Sequence, residues 1–150
     1  MTSYLLDTNV VLRLIDRLDP NHTACVSAIT KLTEQQQVIC LAPQVLVEFW
    51  AVATRPVASN GFGWSPTDTD AQIVRLRQQF QLSDEKPALL DIWLRLVNEK
   101  AVRGKHTHDA RLAAFMSLHG IDAIVTLNPS DFLGLGVTVV EPDRLASAAQ

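Results

Sequence analysis

The chain has 150 residues and a formal net charge of -3, with 47% apolar and 19% charged residues. This composition is too apolar and too weakly charged for a disordered chain, and the length suits one domain over residues 1–150. Because there is no basic excess, tight nucleic-acid binding through overall charge is not expected, and any phosphate contact must be local or aided by bound cations.

The first half of the chain alternates short apolar strands with helices. A strand over residues 4–6 precedes a helix whose apolar positions recur at helical spacing: Val10, Val11, Leu14, Ile15 and Leu18. A second helix is predicted from Asn21, its candidate N-cap, to about residue 34. A strand over 38–42 then leads into a helix over 43–54, whose first residue is a proline and therefore lacks the N–H that is unpaired at that position.

The second half continues the same alternation after a loop over residues 55–66 that contains two prolines and two glycines. Helices are predicted over 66–80, 86–103 and 107–118, and strands over 123–127 and 136–140. Gly120 is a typical residue to end the last helix. Short, continuously apolar strands separated by helices indicate a parallel sheet covered on both faces. We therefore expect a three-layer α/β/α fold with four or five parallel strands.

The compartment is predicted from cysteine usage and from the N-terminus. Cys25 and Cys40 form no close-spaced motif, which favours a reduced, cytoplasmic setting. The N-terminus has no basic stretch followed by an apolar run, and no apolar run approaches the roughly 18 residues that span a bilayer. We expect a cytoplasmic protein with no membrane segment.

Acidic residues stand where the predicted strands end, which is where sites form in parallel sheets. Asp7 follows the first strand and Asp131 lies shortly after the third. Each also has an ordinary explanation, because Asp7 is a candidate helix cap and Asp131 a candidate turn residue. Asp109 lies in the first turn of a predicted helix, where the dipole favours an ionised carboxylate.

Glu48 is the most informative acid because it stands among eight apolar residues in the segment 45–53. No Lys or Arg lies within one helical turn of it. Burying an unpaired carboxylate costs on the order of several kcal/mol, so Glu48 must be protonated, paired with a distant arginine or bound to a cation.

Several carboxylates that converge on one point repel each other unless a divalent cation neutralises them. Ligands that are all oxygen suit Mg²⁺ or Mn²⁺ rather than Zn²⁺. Such an ion keeps positions free for phosphate oxygens and lowers the pKa of an attacking water. Metal-dependent chemistry on a phosphate ester is therefore the favoured hypothesis.

Four segments stand in order along nearly the whole chain: Tyr-Leu-Leu-Asp-Thr-Asn at 4–9, Val-Glu at 47–48, His-Asp-Ala-Arg-Leu-Ala at 108–113, and Thr-Leu-Asn-Pro-Ser-Asp-Phe at 126–132. Together they resemble the PIN domain. Length and layout further resemble the VapC-type ribonuclease toxins of bacterial toxin–antitoxin pairs. The resemblance implies cleavage of single-stranded RNA by a magnesium- or manganese-dependent enzyme.

The resemblance also assigns roles to residues. The acids that match the family's catalytic, metal-binding positions are Asp7, Glu48, Asp109 and Asp131. Thr8 and Asn9 match residues that hold the first acid in place, and Thr126 or Asn128 would orient a water or ligand. The family often has two acids in the last segment, and Asn128 occupies the first of these positions. Because Asn128 is not an acid, this departure weighs against a second metal site more than against the first.

Binding partners follow from the same resemblance. An antitoxin would bind in a groove between helices and block the acids, and the toxin would form a homodimer. The candidate RNA-binding residues are Arg13, Lys105 and Arg111, although cations at solvated helix ends are equally common. His106 and His108 are weaker candidates for metal ligands or a general base. Phe62 and Trp64 either stack on a base or pack back onto the domain.

Three alternatives were weighed. A haloacid-dehalogenase-type phosphatase would need a second acid where Asn9 stands. A receiver domain is disfavoured because Glu48 lies in a predicted helix. A PIN-like interaction module with weakened catalysis keeps the fold, and Asn128 is the residue that favours it.

Overall fold

The computed structural model describes residues 1–147. Its strands are β1 (Ser3–Leu6), β2 (Val38–Leu41), β3 (Gln81–Leu82), β4 (Ala123–Val125) and β5 (Thr138–Val140). They form one five-stranded sheet in the order β3-β2-β1-β4-β5, and every pairing is parallel. The two-residue β3 was not predicted. The last three residues of the expected domain lie outside the described part of the chain.

Seven α-helices accompany these strands within residues 1–147, six of them between strands and the last one after β5. They are α1 (Thr8–Ile15), α2 (His22–Glu34), α3 (Pro43–Thr54), α4 (Pro66–Gln79), α5 (Leu89–Glu99), α6 (His106–His119) and α7 (Pro142–Ser147). Helix α5 packs against α6, whereas α1 contacts α2 and α3, and α2 contacts α7. The expected three-layer α/β/α architecture is confirmed.

The core is built around the two central strands. Leu5 and Leu6 of β1 and Ile124 and Val125 of β4 are fully buried, so apolar residues run continuously along each strand. This pattern is typical of a parallel sheet whose two faces are both covered. The polar residues Asp7 and Thr126 follow directly after the last residues of these two strands.

Several predicted ends are wrong by a few residues. Helix α1 ends at Ile15, and Leu18 is 95% exposed instead of lying on the inner face. The side chain of Asp16 accepts a hydrogen bond from the Leu18 N–H (3.2 Å), and such local bonds compete with the helix. The side chain of Asn21 makes no capping bond at α2. Helix α5 is also shorter than predicted.

Other predicted features are confirmed. The helix predicted from residue 66 begins at Pro66, where Ser65 caps it by accepting the Asp68 N–H (3.1 Å), and Gly120 ends α6 with a positive φ of 64°. Phe62 and Trp64 pack against each other and the Trp64 ring contacts Phe49, so both loop aromatics pack back onto the domain. In the part of the chain that the structure describes, no helix combines the length and apolar character needed to cross a bilayer.

Candidate active site

The candidate site begins where β1 and β4 end side by side. Leu6 lies opposite Val125, and the N–H of Asp7 donates to the Val125 carbonyl (3.0 Å). Because the strands are parallel, the next residues, Asp7 and Thr126, emerge together at the carboxyl edge of the sheet. Neighbouring β2 ends at Leu41 and leads into α3, which carries Glu48.

Asp7 is held by three hydrogen bonds and is only 8% exposed. The Thr8 N–H donates to its Oδ1 (2.8 Å), and the Thr126 hydroxyl donates to its Oδ2 (2.7 Å). The amide of Asn9 reaches the same Oδ2 at 3.3 Å. Asp7 therefore caps α1, as its ordinary explanation requires, and its carboxylate is also anchored to β4.

The pKa of Asp7 is raised from 3.8 to about 6, chiefly by burial. The hydrogen bonds from Thr126 and Thr8 act in the opposite direction, while the charges of Glu48 and Asp109 raise it further. Asp7 thus stands in a field of other carboxylates that disfavours its ionised form. A nearby cation would reverse this effect.

Glu48 is half-buried and is oriented by neutral partners rather than by a positive charge. The Thr8 hydroxyl donates to its Oε2 (2.6 Å), and the Gln44 amide donates to its Oε1 (3.0 Å). The alternative of an ion pair with a distant arginine is wrong, because the described residues contain no such pair. Sequence reasoning missed Gln44, although its position one turn before Glu48 was a signal.

Asp109 and Asp131 meet at the other side of the site. Asp109 lies in the first turn of α6, and Asp131 lies in a short 3-10 turn, Pro129–Phe132. Burial raises the pKa of Asp109, and the charges of Asp131 and Glu48 raise it further, while His106 lowers it. The expectation that the helix dipole keeps Asp109 ionised is therefore opposed by its surroundings.

Glu48, Asp109 and Asp131 all line one open cavity of about 700 Å³. It is lined by Pro43, Gln44, Val47, Glu48, Glu85, Lys105, His108, Asp109, Arg111 and Asp131. Asp7 does not line this cavity, but its carboxylate interacts electrostatically with two lining residues, Glu48 and Asp109. A second cavity of about 500 Å³ shares Asp131 and is lined by Lys100, Arg103 and His106.

The residues present fit a divalent cation. Burial, and to a smaller extent the charges of other carboxylates, raises the pKa of both Asp7 and Asp109, and a bound cation would favour their ionised forms. The donors are mostly carboxylate oxygens, which suit Mg²⁺ and Mn²⁺. The tightest group of possible ligand atoms in the described residues is His106, Asp109 and Asp131, all within 4.8 Å of one another.

Comparison with known proteins identifies the family of this chain. The family model of the PIN domain matches residues 4–132. The chain belongs to the PIN domain family. Ribonuclease VapC24 of Mycobacterium tuberculosis is 24% identical over 136 residues, which cover 90% of this chain and 92% of that protein.

Solved structures share the PIN-domain fold at low identity. VapBC2 from Rickettsia felis, bound to a DNA fragment from its promoter, superposes with a TM-score of 0.67 at 14% identity and covers 93% of this chain and 98% of that one. VapC20 of Mycobacterium tuberculosis, a toxin that cleaves the sarcin–ricin loop, gives 0.57 at 20% identity, covering 81% and 86%.

The expected supporting residues of this PIN domain do not all reach the acids. Thr8 contacts both Asp7 and Glu48, while Asn9 donates to Thr126 Oγ1 (3.1 Å) and accepts the Leu127 N–H (3.1 Å). Asn128 is exposed and lies outside the lining of the main cavity. Its backbone makes two bonds: its N–H donates to Thr126 Oγ1 (3.1 Å), and its carbonyl accepts the N–H of Asp131 (3.1 Å).

The three candidate RNA-binding cations have different positions. Lys105 and Arg111 line the acid cavity, whereas Arg13 lies beside a small separate cavity and pairs with Asp19 (3.4 Å). Arg111 already has partners, because it donates to Gln44 Oε1 (3.0 Å) and pairs with Glu85. A phosphate that binds Arg111 must compete with Glu85.

Proposed function

We propose that this PIN-domain protein is a divalent-metal-dependent ribonuclease of the VapC toxin type, acting on single-stranded RNA in the cytoplasm. The observation that carries the proposal is the convergence of Glu48, Asp109 and Asp131 on one cavity, above the buried Asp7. These acids come from four separate parts of the fold. VapC24, which is named a ribonuclease, and VapC20, which is described as a toxin that cleaves the sarcin–ricin loop, are similar over most of the chain.

The four acids would hold the cation between them. When bound, a Mg²⁺ or Mn²⁺ ion supplies positive charge that stabilises phosphate oxygens and activates water. Thr8 and Gln44 keep Glu48 pointed at the cavity, and Thr126 keeps Asp7 in place. Carboxylates that are already held in place need little reorganisation free energy when the substrate binds. No side chain of the protein is needed as a nucleophile.

The RNA backbone would run along the basic side chains that surround the acids. Lys105 lines the acid cavity, and Lys100 and Arg103 line the adjoining one. None of these three side chains forms an ion pair with a carboxylate in the described structure. They are therefore available for phosphates, whereas Arg13 is assigned no role in RNA binding. The two cavities meet at Asp131, so one strand can cross both.

We also propose an antitoxin partner that covers the same cavity, with the toxin as a homodimer. Val47 is 70% exposed at the rim of the acid cavity. Leu90, which is 59% exposed, lines a neighbouring cavity of about 310 Å³ that shares Glu85 and Arg111 with it. An amphipathic antitoxin segment would bury these apolar side chains next to the acids. Co-purification with the product of a short upstream reading frame tests the partner, and light scattering tests the dimer.

The decisive experiment follows cleavage of a mixed pool of single-stranded RNA. The native protein should cleave with Mg²⁺ or Mn²⁺ and lose activity in EDTA. Asp109→Asn should lose at least about a hundredfold in rate, since it removes a charge that holds the cation. Asp70→Asn is the matched control, because Asp70 is an exposed acid on α4 far from the cavity lining. Metal-independent cleavage, or an unimpaired Asp109→Asn, would refute the mechanism.

The same experiment tests the alternative of an interaction module with weakened catalysis. Such a module would bind RNA or antitoxin but would leave the pool intact at every metal concentration. Membership of the PIN domain family favours either of these two functions over the phosphatase alternative.

A further inference from the structure

His106 is the one nitrogen-bearing member of the tightest ligand group in the described chain. Its Nδ1 lies 3.3 Å from Asp109 Oδ2, and a ligand atom from each of His106, Asp109 and Asp131 falls within 4.8 Å of the other two. His106 and Asp109 lie on the first turn of α6, whereas Asp131 comes from the turn after β4. Two separate elements therefore present these atoms to one point.

We propose that His106 is a direct ligand of the cation site and makes the site favour transition-metal ions over Mg²⁺. The inference rests on the proposed function, because it deepens the description of the same metal-dependent site. It assigns to His106 a role that the four acids do not fill. Asp7 and Glu48 are not members of this close group of ligand atoms, and the inference adds His106 to the acids on the Asp109–Asp131 side of the site.

The geometry distinguishes a ligand from a simple ion pair within the helix. An ion pair at positions three apart on α6 would need only His106 and Asp109. Asp131 adds a second carboxylate from another element, and its ligand atom lies within 4.8 Å of those of both His106 and Asp109. A divalent cation held by all three groups would compensate the charges of the two carboxylates and bind the neutral imidazole nitrogen.

The ligand set carries a prediction about metal preference. Mg²⁺ is a hard ion that prefers oxygen ligands and keeps its waters, whereas first-row transition ions accept imidazole nitrogen readily. A site with two carboxylates and one imidazole should therefore bind Mn²⁺ or Co²⁺ more tightly than Mg²⁺. Removing the imidazole should affect the transition ions far more than Mg²⁺.

The test uses the native protein without RNA, stripped of metal by a chelator and titrated with Mn²⁺. Pulsed electron paramagnetic resonance of bound Mn²⁺ should show ¹⁴N modulation from a coordinated imidazole. His106→Gln should abolish the ¹⁴N modulation and weaken Mn²⁺ binding by about tenfold or more, with little change in Mg²⁺ binding measured by calorimetry. His119→Gln is the matched control, because His119 lies at the other end of the same helix, is not in the ligand group and lines neither of the two cavities that contain Asp131.

The outcomes separate this inference from the proposed function. If native protein binds Mn²⁺ without ¹⁴N modulation, or if the modulation survives in His106→Gln, His106 is not a ligand and the carboxylate site stands alone. If His106→Gln binds Mn²⁺ more weakly than the native protein does, but the native protein shows no ¹⁴N modulation, then His106 only positions Asp109. That result also overturns the inference. If native protein binds neither Mn²⁺ nor Mg²⁺, the proposed metal-dependent function fails as well.

Discussion

Replacing Asp7 with asparagine should stabilise the metal-free protein at neutral pH while it abolishes RNA cleavage. Burial and the neighbouring carboxylates raise the pKa of Asp7 from 3.8 to about 6. The folded protein therefore binds this proton more tightly than the unfolded chain does. Stability is lost as the pH rises from about 4 to about 6, and it stays lost above that window.

The magnitude follows from the size of the shift. A difference of about two pH units corresponds to roughly 3 kcal/mol at about 1.4 kcal/mol per unit. Asparagine can keep the acceptor for the Thr8 N–H but weakens the bond from the Thr126 hydroxyl, which offsets roughly 1 to 2 kcal/mol. A net gain of about 1 to 2 kcal/mol should raise the melting temperature by roughly 2 to 8 °C for a domain of this size.

Thermal denaturation in EDTA measures this effect in native protein, Asp7→Asn and the exposed control Asp70→Asn. The advantage of Asp7→Asn should be present near neutral pH and should shrink by about 2 kcal/mol at about pH 4.5, where native Asp7 is protonated. Excess Mg²⁺ should stabilise the native protein more than the variant. A variant that is less stable than native protein at neutral pH in EDTA would show that the carboxylates do not strain the fold.

Three further substitutions test the contacts around the acids. Thr8→Val removes the hydroxyl that orients Glu48 and should slow cleavage about tenfold, whereas Thr8→Ser should restore most of the rate in the same RNA assay. Glu85→Gln frees Arg111 from its ion pair, so the protein should bind a non-cleavable RNA more tightly and with a steeper salt dependence. Fluorescence anisotropy measures both quantities, and an unchanged affinity would mean that Arg111 does not contact phosphate. Thr126→Val leaves buried polar partners unsatisfied and should lower the free energy of unfolding by about 1 to 3 kcal/mol in urea titrations, a result that an unchanged midpoint would contradict.

Periodicity and capping signals in the sequence predicted most of the fold because they act locally. The helix at Pro43 begins as expected, Ser65 caps α4, and Gly120 ends α6. The errors fall where local chemistry competes with periodicity, as at Leu18, or where an element is very short. Strand β3 has two residues, and no periodicity can be read from so short a segment. Its pairing with β2 depends on the tertiary fold.

The candidate acids were also visible in the sequence, because a lone carboxylate among apolar helix residues costs free energy to bury and because sites in parallel sheets form where the strands end. Most of their partners were not visible. Gln44 lies one turn before Glu48, but it also donates to the His108 carbonyl, and Glu85 pairs with Arg111 from a segment that precedes α5. The last two contacts join residues far apart in the chain, and nothing in local composition distinguishes such residues from ordinary surface polar groups.

By itself the amino-acid sequence determined the layered fold, the acids at the carboxyl edge and the resemblance to the PIN domain. Apolar spacing and backbone capping act over a few residues, so both can be read directly from the sequence. Only the tertiary structure decided that His106 joins Asp109 and Asp131, that Arg13 lies apart and that Asp7 is buried below the cavity. Electrostatic and hydrogen-bond partners are selected by distance in the folded chain, so folding alone determines which charges meet.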